Sequence, residues 1–85
     1  MMTHDEILAK LTDIFRDVLG DDDLVLSDAT TAEDVEDWDS VNHVTLLVAT
    51  EVAFGIKFAT AETESLKNVG HLAALIQRKL AAKGR

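Results

Sequence analysis

The sequence predicts an all-α fold, a four-helix bundle of three longer helices and one short helix with a long first loop. Three observations carry that prediction. Apolar residues recur at three- and four-residue steps in three separate segments, as one face of a helix requires. Capping residues or glycines punctuate those segments. The length of 85 residues, 47% of them apolar, limits the chain to a single domain over residues 1–85, because a chain this short buries roughly 60 to 65% of its unfolded surface. No proline, internal repeat or low-complexity stretch marks a further boundary.

From Thr3 to Leu19 the residues Ile7, Leu8, Leu11, Ile14, Phe15 and Val18 share one helical face. Thr3 followed by Glu6 has the form of a capping box, and Gly20 supplies the stop. Residues 20–39 have no predicted regular structure, and a compact domain tolerates such a connection only where it is functional or tied down. Leu24, Val25, Leu26, Val35 and Trp38 are expected to dock it, and a long first crossover frees the helices from simple antiparallel order. A second helix is expected over Ser40 to Phe54, ending at Gly55. Thr60 is the expected cap of a short helix around Ala61 to Ser65. The last helix begins near Asn68 or Val69 and carries Val69, Leu72, Leu75, Ile76 and Leu80, with Arg78, Lys79 and Lys83 near its carboxyl end, where cations suit the helix dipole.

The second helix has more apolar surface than one stripe needs. At about 3.6 residues per turn, Leu46, Thr50 and Phe54 share a line with Leu47 close by, a reasonable core face. Val41, Val44 and Val48 form another line that runs back to Ser40. Either both lines are buried, or the second docks partners beside Ser40.

Composition excludes several function classes. Without cysteine the unmodified chain has no disulfide, thiolate metal site or thiol nucleophile. His4, His43 and His71 show no metal-ligand spacing, and Asp21-Asp22-Asp23 and the Asp37-x-Asp39 pair lack the loop glycine and terminal glutamate of a calcium-binding loop, so no metal is expected. No apolar run approaches the ~20 residues that span a bilayer, and the acidic start MMTHDEILAK differs from a signal peptide. A soluble, cytoplasmic protein is the expectation. Net charge is -8, yet residues 17–56 hold eleven acids and no Lys or Arg, while residues 57–85 sum to +4. Such a field repels nucleic acid and anionic membranes and steers partners that offer basic patches.

Three readings are open for Ser40 in the stretch DWDSVNHV. It is expected to cap the second helix, with Asp39 favouring the positive end of the dipole. As a nucleophile with His43 as base it would lack a Gly-x-Ser-x-Gly elbow, a group to orient the imidazole and an oxyanion hole. As an attachment point it would set a phosphodiester at a helix amino terminus, a natural anion site.

Asp39-Ser40, an apolar residue at 41, then Val44, Leu47, Glu51, Phe54 and Gly55 resemble the Asp-Ser-Leu signature and following helix of acyl carrier proteins. The resemblance extends over nearly the whole chain, through FGIKF and the final helix entered by LKNVGHL. It implies an acyl-carrier-like bundle that is not an enzyme, in which Ser40 receives covalent 4′-phosphopantetheine from coenzyme A through a separate phosphopantetheinyl transferase. The terminal thiol of that arm holds acyl groups as thioesters, which accords with a chain that has no thiol of its own. Asp39 matches the acid before the serine that contributes to transferase recognition, and Val41, Val44 and Val48 match apolar partner contacts. The second helix departs from the usual acid-rich pattern: Asn42 and His43 occupy polar positions and become candidates for partner selectivity. Acidic steering shifts to Glu33, Asp34, Glu36 and Asp37, with Glu62 and Glu64 as further candidates. Together these imply a monomeric carrier for a polyketide-like or specialised fatty-acyl pathway, served by acyl-loading and acyl-processing enzymes with basic docking patches. A peptidyl or aminoacyl carrier, or a helical interaction domain without a prosthetic group, is the alternative.

Overall fold

Thr3 takes an extended backbone and accepts the Glu6 N–H on its hydroxyl, while the Glu6 carboxylate accepts the Thr3 N–H at 2.8 Å, and this capping box starts α1 (His4–Leu19). The Thr3 N–H, followed by the Thr3 side chain, holds the Glu6 carboxyl below its ordinary range. The structure, a computed structural model, describes residues 2–83 and continues with α2 (Ser40–Phe54), α3 (Thr60–Glu64) and α4 (Val69–Lys83). Gly20 and Gly55 close α1 and α2 in the left-handed conformation, at φ 67° and 66°, where a side chain would be strained.

Helix α1 is the common partner, with α2 and α4 both packed on it. Its Ile7, Leu11 and Phe15 are completely buried among Leu46 and Phe54 of α2 and Val69, Leu72, Ala73 and Ile76 of α4. Leu75 of α4 is buried too, and Leu80 is half-buried. On α2 the Leu46, Thr50 and Phe54 line faces inward as expected, and the buried Thr50 hydroxyl is satisfied by donating to Leu46 O at 2.7 Å. Helix α2 has no basic residue in its own last turn. Lys10 of α1 donates to Ala53 O at 3.0 Å and Lys83 of α4 to Gly55 O at 2.7 Å, which places two cations at the negative end of its dipole.

The long connection is tied down mainly through its backbone. Arg16 Nε donates to Leu24 O at 2.7 Å. Further along, the loop supplies acceptors to the first turn of α4: Val69 N–H donates to Thr30 O at 2.8 Å and Gly70 N–H to Asp28 O at 2.9 Å. Donors that a helix start leaves without partners are thereby satisfied by the loop. Leu26 and Val35 are buried and Leu24 and Trp38 half-buried, as expected of docking residues. Val25 is not one of them. It is 74% exposed, because Leu24 and Leu26 on either side of it take the inward positions of an extended segment.

The short helix starts one residue earlier than the sequence predicts. Thr60 is its first helical residue, and Ala59, which has no side-chain acceptor, holds the cap position. The end is secured from the other side, by Glu62 accepting the Ala59 N–H at 2.8 Å and pairing with Lys79 at 2.7 Å. The Lys79 ammonium, followed by the Ala59 N–H, holds the Glu62 carboxyl below the usual carboxylate range.

A Cβ at Gly70 would lie 2.9 Å from Asp28 O and 3.0 Å from Asp28 Cβ, whereas one at Gly20 would meet nothing within 4 Å. Gly70→Ala is expected to push the loop off α4 at a cost of about 1–3 kcal/mol and to abolish hydrogen-exchange protection at the Val69 and Gly70 amides. Gly20→Ala should cost about 1 kcal/mol, from backbone strain, and leave that protection in place. Urea unfolding with amide exchange measures both.

Candidate functional site

The approach to α2 is the residue run Asp37-Trp38-Asp39. Asp39 has an extended backbone, φ -102° and ψ -176°, and its Oδ1 accepts the Asn42 N–H at 2.8 Å. Asp39 is therefore the cap, and Ser40, which the sequence led one to expect there, is the first helical residue. The physical reason is charge: a carboxylate makes the stronger bond to the free N–H and also meets the positive end of the dipole. Displacement from the cap leaves the Ser40 hydroxyl exposed and without a hydrogen-bond partner among the described residues. The N–H groups of Ser40 and Val41 likewise find no acceptor among the described residues.

Behind the serine, Trp38 is held on two sides. Its ring meets Phe15 edge-on, centroids 4.9 Å apart at 86°, and its Nε1–H donates to His43 Nδ1 at 2.9 Å. The indole and imidazole lie 25° from parallel with centroids 6.0 Å apart. Asn42 Nδ2 donates to Asp37 O at 2.8 Å, so the residues after the serine grip the residues before it. Ala32, Trp38, Asp39, Ser40 and His43 line an open cleft of about 490 Å³. Ala32, Trp38 and His43 also line a smaller recess of about 80 Å³, together with Leu66 and Leu72.

This geometry removes the base that a nucleophilic serine would need. The Nδ1 lone pair of His43 is occupied by the indole N–H, and in the neutral ring the other nitrogen carries the proton. While that bond stands, His43 has no lone pair to offer Ser40.

On the solvent side of α2, Val41, Val44 and Val48 are 76%, 60% and 52% exposed, so the second apolar line is a surface rather than a buried stripe. Val52, at 79%, extends it by another turn. Sequence reasoning missed Val52 as part of this face, although its four-residue step from Val48 was the available signal. Glu33, Asp34, Glu36 and Asp37 are all exposed in the loop that leads into α2. Asp34 also closes a local turn by accepting the Thr31 N–H at 3.0 Å and the Thr31 hydroxyl at 3.2 Å. Of the further acids, Glu62 is paired with Lys79, Glu51 holds the Phe58 N–H at 2.8 Å, and Glu64 is exposed. Among the described residues no helix is long and apolar enough to cross a membrane.

No family model matches the chain. The acyl carrier protein of Petrotoga mobilis is 38% identical over 80 residues, which cover 93% of this chain and 93% of that one. That of Thermosynechococcus vestitus is 38% identical over 82 residues, 95% of this chain and 100% of the relative. In three dimensions the chain is similar to the solution structure of holo acyl carrier protein from Geobacter metallireducens. The TM-score is 0.86 at 51% identity, over 91% of this chain and 88% of the other.

The assignment of the cap can be checked by stability alone. Asp39→Ala should cost about 1 kcal/mol in urea unfolding. Ser40→Ala should stay within about 0.5 kcal/mol of the wild type, since it removes neither a contact nor a cap.

Proposed function

The chain belongs to the acyl carrier protein family, and on that premise we propose that Ser40 is the residue on which it carries its prosthetic group. The family is one of carriers rather than enzymes, and its group is covalently attached 4′-phosphopantetheine. The carrying observation is the Ser40 hydroxyl itself, exposed at the start of α2 and relieved of capping by Asp39. The surroundings fit the group: the N–H donors of Ser40 and Val41, without acceptors among the described residues, suit an anionic phosphodiester, and Ser40 lines the cleft of about 490 Å³. When bound, the group supplies a terminal thiol that a chain without cysteine lacks.

The chain's own residues then divide the work. Asp39 fixes the first turn of α2 and presents its carboxylate next to the serine, where a transferase reads it. Val41, Val44, Val48 and Val52 offer an apolar strip to partner enzymes, and Asn42 and His43 set the shape of its serine end. Glu33, Asp34, Glu36 and Asp37 steer acyl-loading and acyl-processing enzymes that bear basic patches. With the acids concentrated in the loop and few on α2, the reading is a monomeric, cytoplasmic carrier for a polyketide-like or specialised fatty-acyl pathway, with docking rules unlike those of an acid-rich helix.

Incubation with coenzyme A and a broad-specificity phosphopantetheinyl transferase should add one 4′-phosphopantetheine to the wild type and nothing to Ser40→Ala, read by intact mass. An unmodified wild type, or an adduct that survives Ser40→Ala, would leave the fold as a helical interaction domain. For the steering role, the combined variant Glu33→Gln, Asp34→Asn, Glu36→Gln, Asp37→Asn should associate with the transferase several-fold more slowly at low salt, the difference shrinking at high salt. An unchanged rate at low salt rejects the steering role.

A further inference from the structure

The bond between Trp38 and His43 fixes where the imidazole keeps its proton. An indole nitrogen can only donate, so His43 Nδ1, 2.9 Å from Trp38 Nε1, is the acceptor and carries no hydrogen. The neutral ring is therefore the Nε2–H tautomer. Among the described residues nothing accepts from that Nε2–H. His43 is half-buried and lines both the cleft that contains Ser40 and the smaller recess. Ser40 and His43 are three residues apart on α2, which puts their Cβ atoms about 5–6 Å apart on one face. Asp39 is the charged side chain in the cleft lining, and its carboxylate disfavours an anion on its own side of the serine. The favourable side is the one where His43 offers its donor.

We propose that His43 is a positioning residue for the group carried on Ser40: its Nε2–H donates to a phosphodiester oxygen of 4′-phosphopantetheine and draws the start of the arm along the Trp38 wall of the cleft. The inference rests on attachment at Ser40. A hydrogen bond to an anionic oxygen is roughly twice as strong as one between neutral groups, so a single donor suffices to bias the arm. Trp38 acts one step back, since its N–H holds the imidazole in the tautomer that points a proton, rather than a lone pair, away from the indole.

The test uses the ¹⁵N-labelled holo protein made with coenzyme A and the transferase, compared with the apo protein by nuclear magnetic resonance. Three signals report: the phosphodiester ³¹P resonance, the side-chain nitrogens of His43, and the indole N–H of the chain's one tryptophan. His43 should be the Nε2–H tautomer in both forms, and its Nε2 signal should move on attachment. The ³¹P resonance of the folded holo protein should be displaced from its position in the urea-unfolded holo protein. His43→Phe should remove most of that displacement. Trp38→Phe keeps the imidazole but frees Nδ1, so it should lower the Nε2–H share and reduce the displacement, and it decides the matter if His43→Phe does not fold. An Nδ1–H tautomer in the wild type, or a ³¹P displacement unchanged by the deciding variant, overturns the proposal. A wild type that takes no adduct defeats attachment at Ser40 instead, so the two failures are told apart by mass before any spectrum is recorded.

Discussion

The indole of Trp38 has to bury its ring against the core while giving its single N–H an acceptor, and the structure meets both demands by wedging it between Phe15 of α1 and His43 of α2. The start of α2 is set by that arrangement. Phe15 belongs to the most deeply buried group of the molecule, so the edge-on contact connects the loop's last turn to the most rigid part of the fold. His43 and Asn42 then reach back to Trp38 and Asp37, and Asp39 reaches forward to the Asn42 N–H. Ser40 sits at the centre of these crossing bonds and takes part in none of them. A rigid frame around an accessible hydroxyl suits the attachment proposed for Ser40, because a residue to be modified must be both accessible and fixed in direction.

Long-range charge and short-range contact are handled by different parts of the chain. The acids precede the serine and the valines follow it, so under the proposed function approach falls to the loop and docking to α2. The two effects scale differently, since attraction between exposed charges is screened beyond about 8–10 Å at physiological salt while apolar burial is not. On that proposal a partner meets the molecule first at the end that carries the serine. Helix α2 contributes little to the field, and even the cations at its carboxyl end, Lys10 and Lys83, come from the other two long helices.

Much of this was legible in the sequence where the cause was local. The spans of α1 and α2, the Thr3–Glu6 capping box, both stop glycines and the inward line Leu46, Thr50, Phe54 follow from periodicity and neighbour chemistry. The cap of α2 was not, because Asp39 and Ser40 are adjacent and both strong capping residues, so local preference alone ranks them about equally. Thr60 failed for a related reason: a distant lysine, Lys79, holds Glu62, and Glu62 fixes the helix start at Ala59. The exposure of Val25 and the contact of Trp38 with Phe15 depend on what the loop meets after it crosses the bundle, which no window of sequence contains. The valine strip was visible as a line, but only the packing of α1 against the opposite face of α2 decided that it stays open.

The carbonyls of Asp28 and Thr30 have a consequence beyond holding the loop in place. They complete the first turn of α4, so the last helix begins on a surface supplied by a segment some forty residues earlier in the chain. Loop and helix therefore form one cooperative unit, and neither can loosen without exposing the other's backbone to water. Insertions at the exposed aspartates after Gly20 leave this unit intact, while a single added residue between Ser27 and Thr31 would shift the acceptors out of register. Within a loop that looks unstructured from the sequence, the stretch 27–31 is therefore, in assembly terms, a part whose length is tightly fixed.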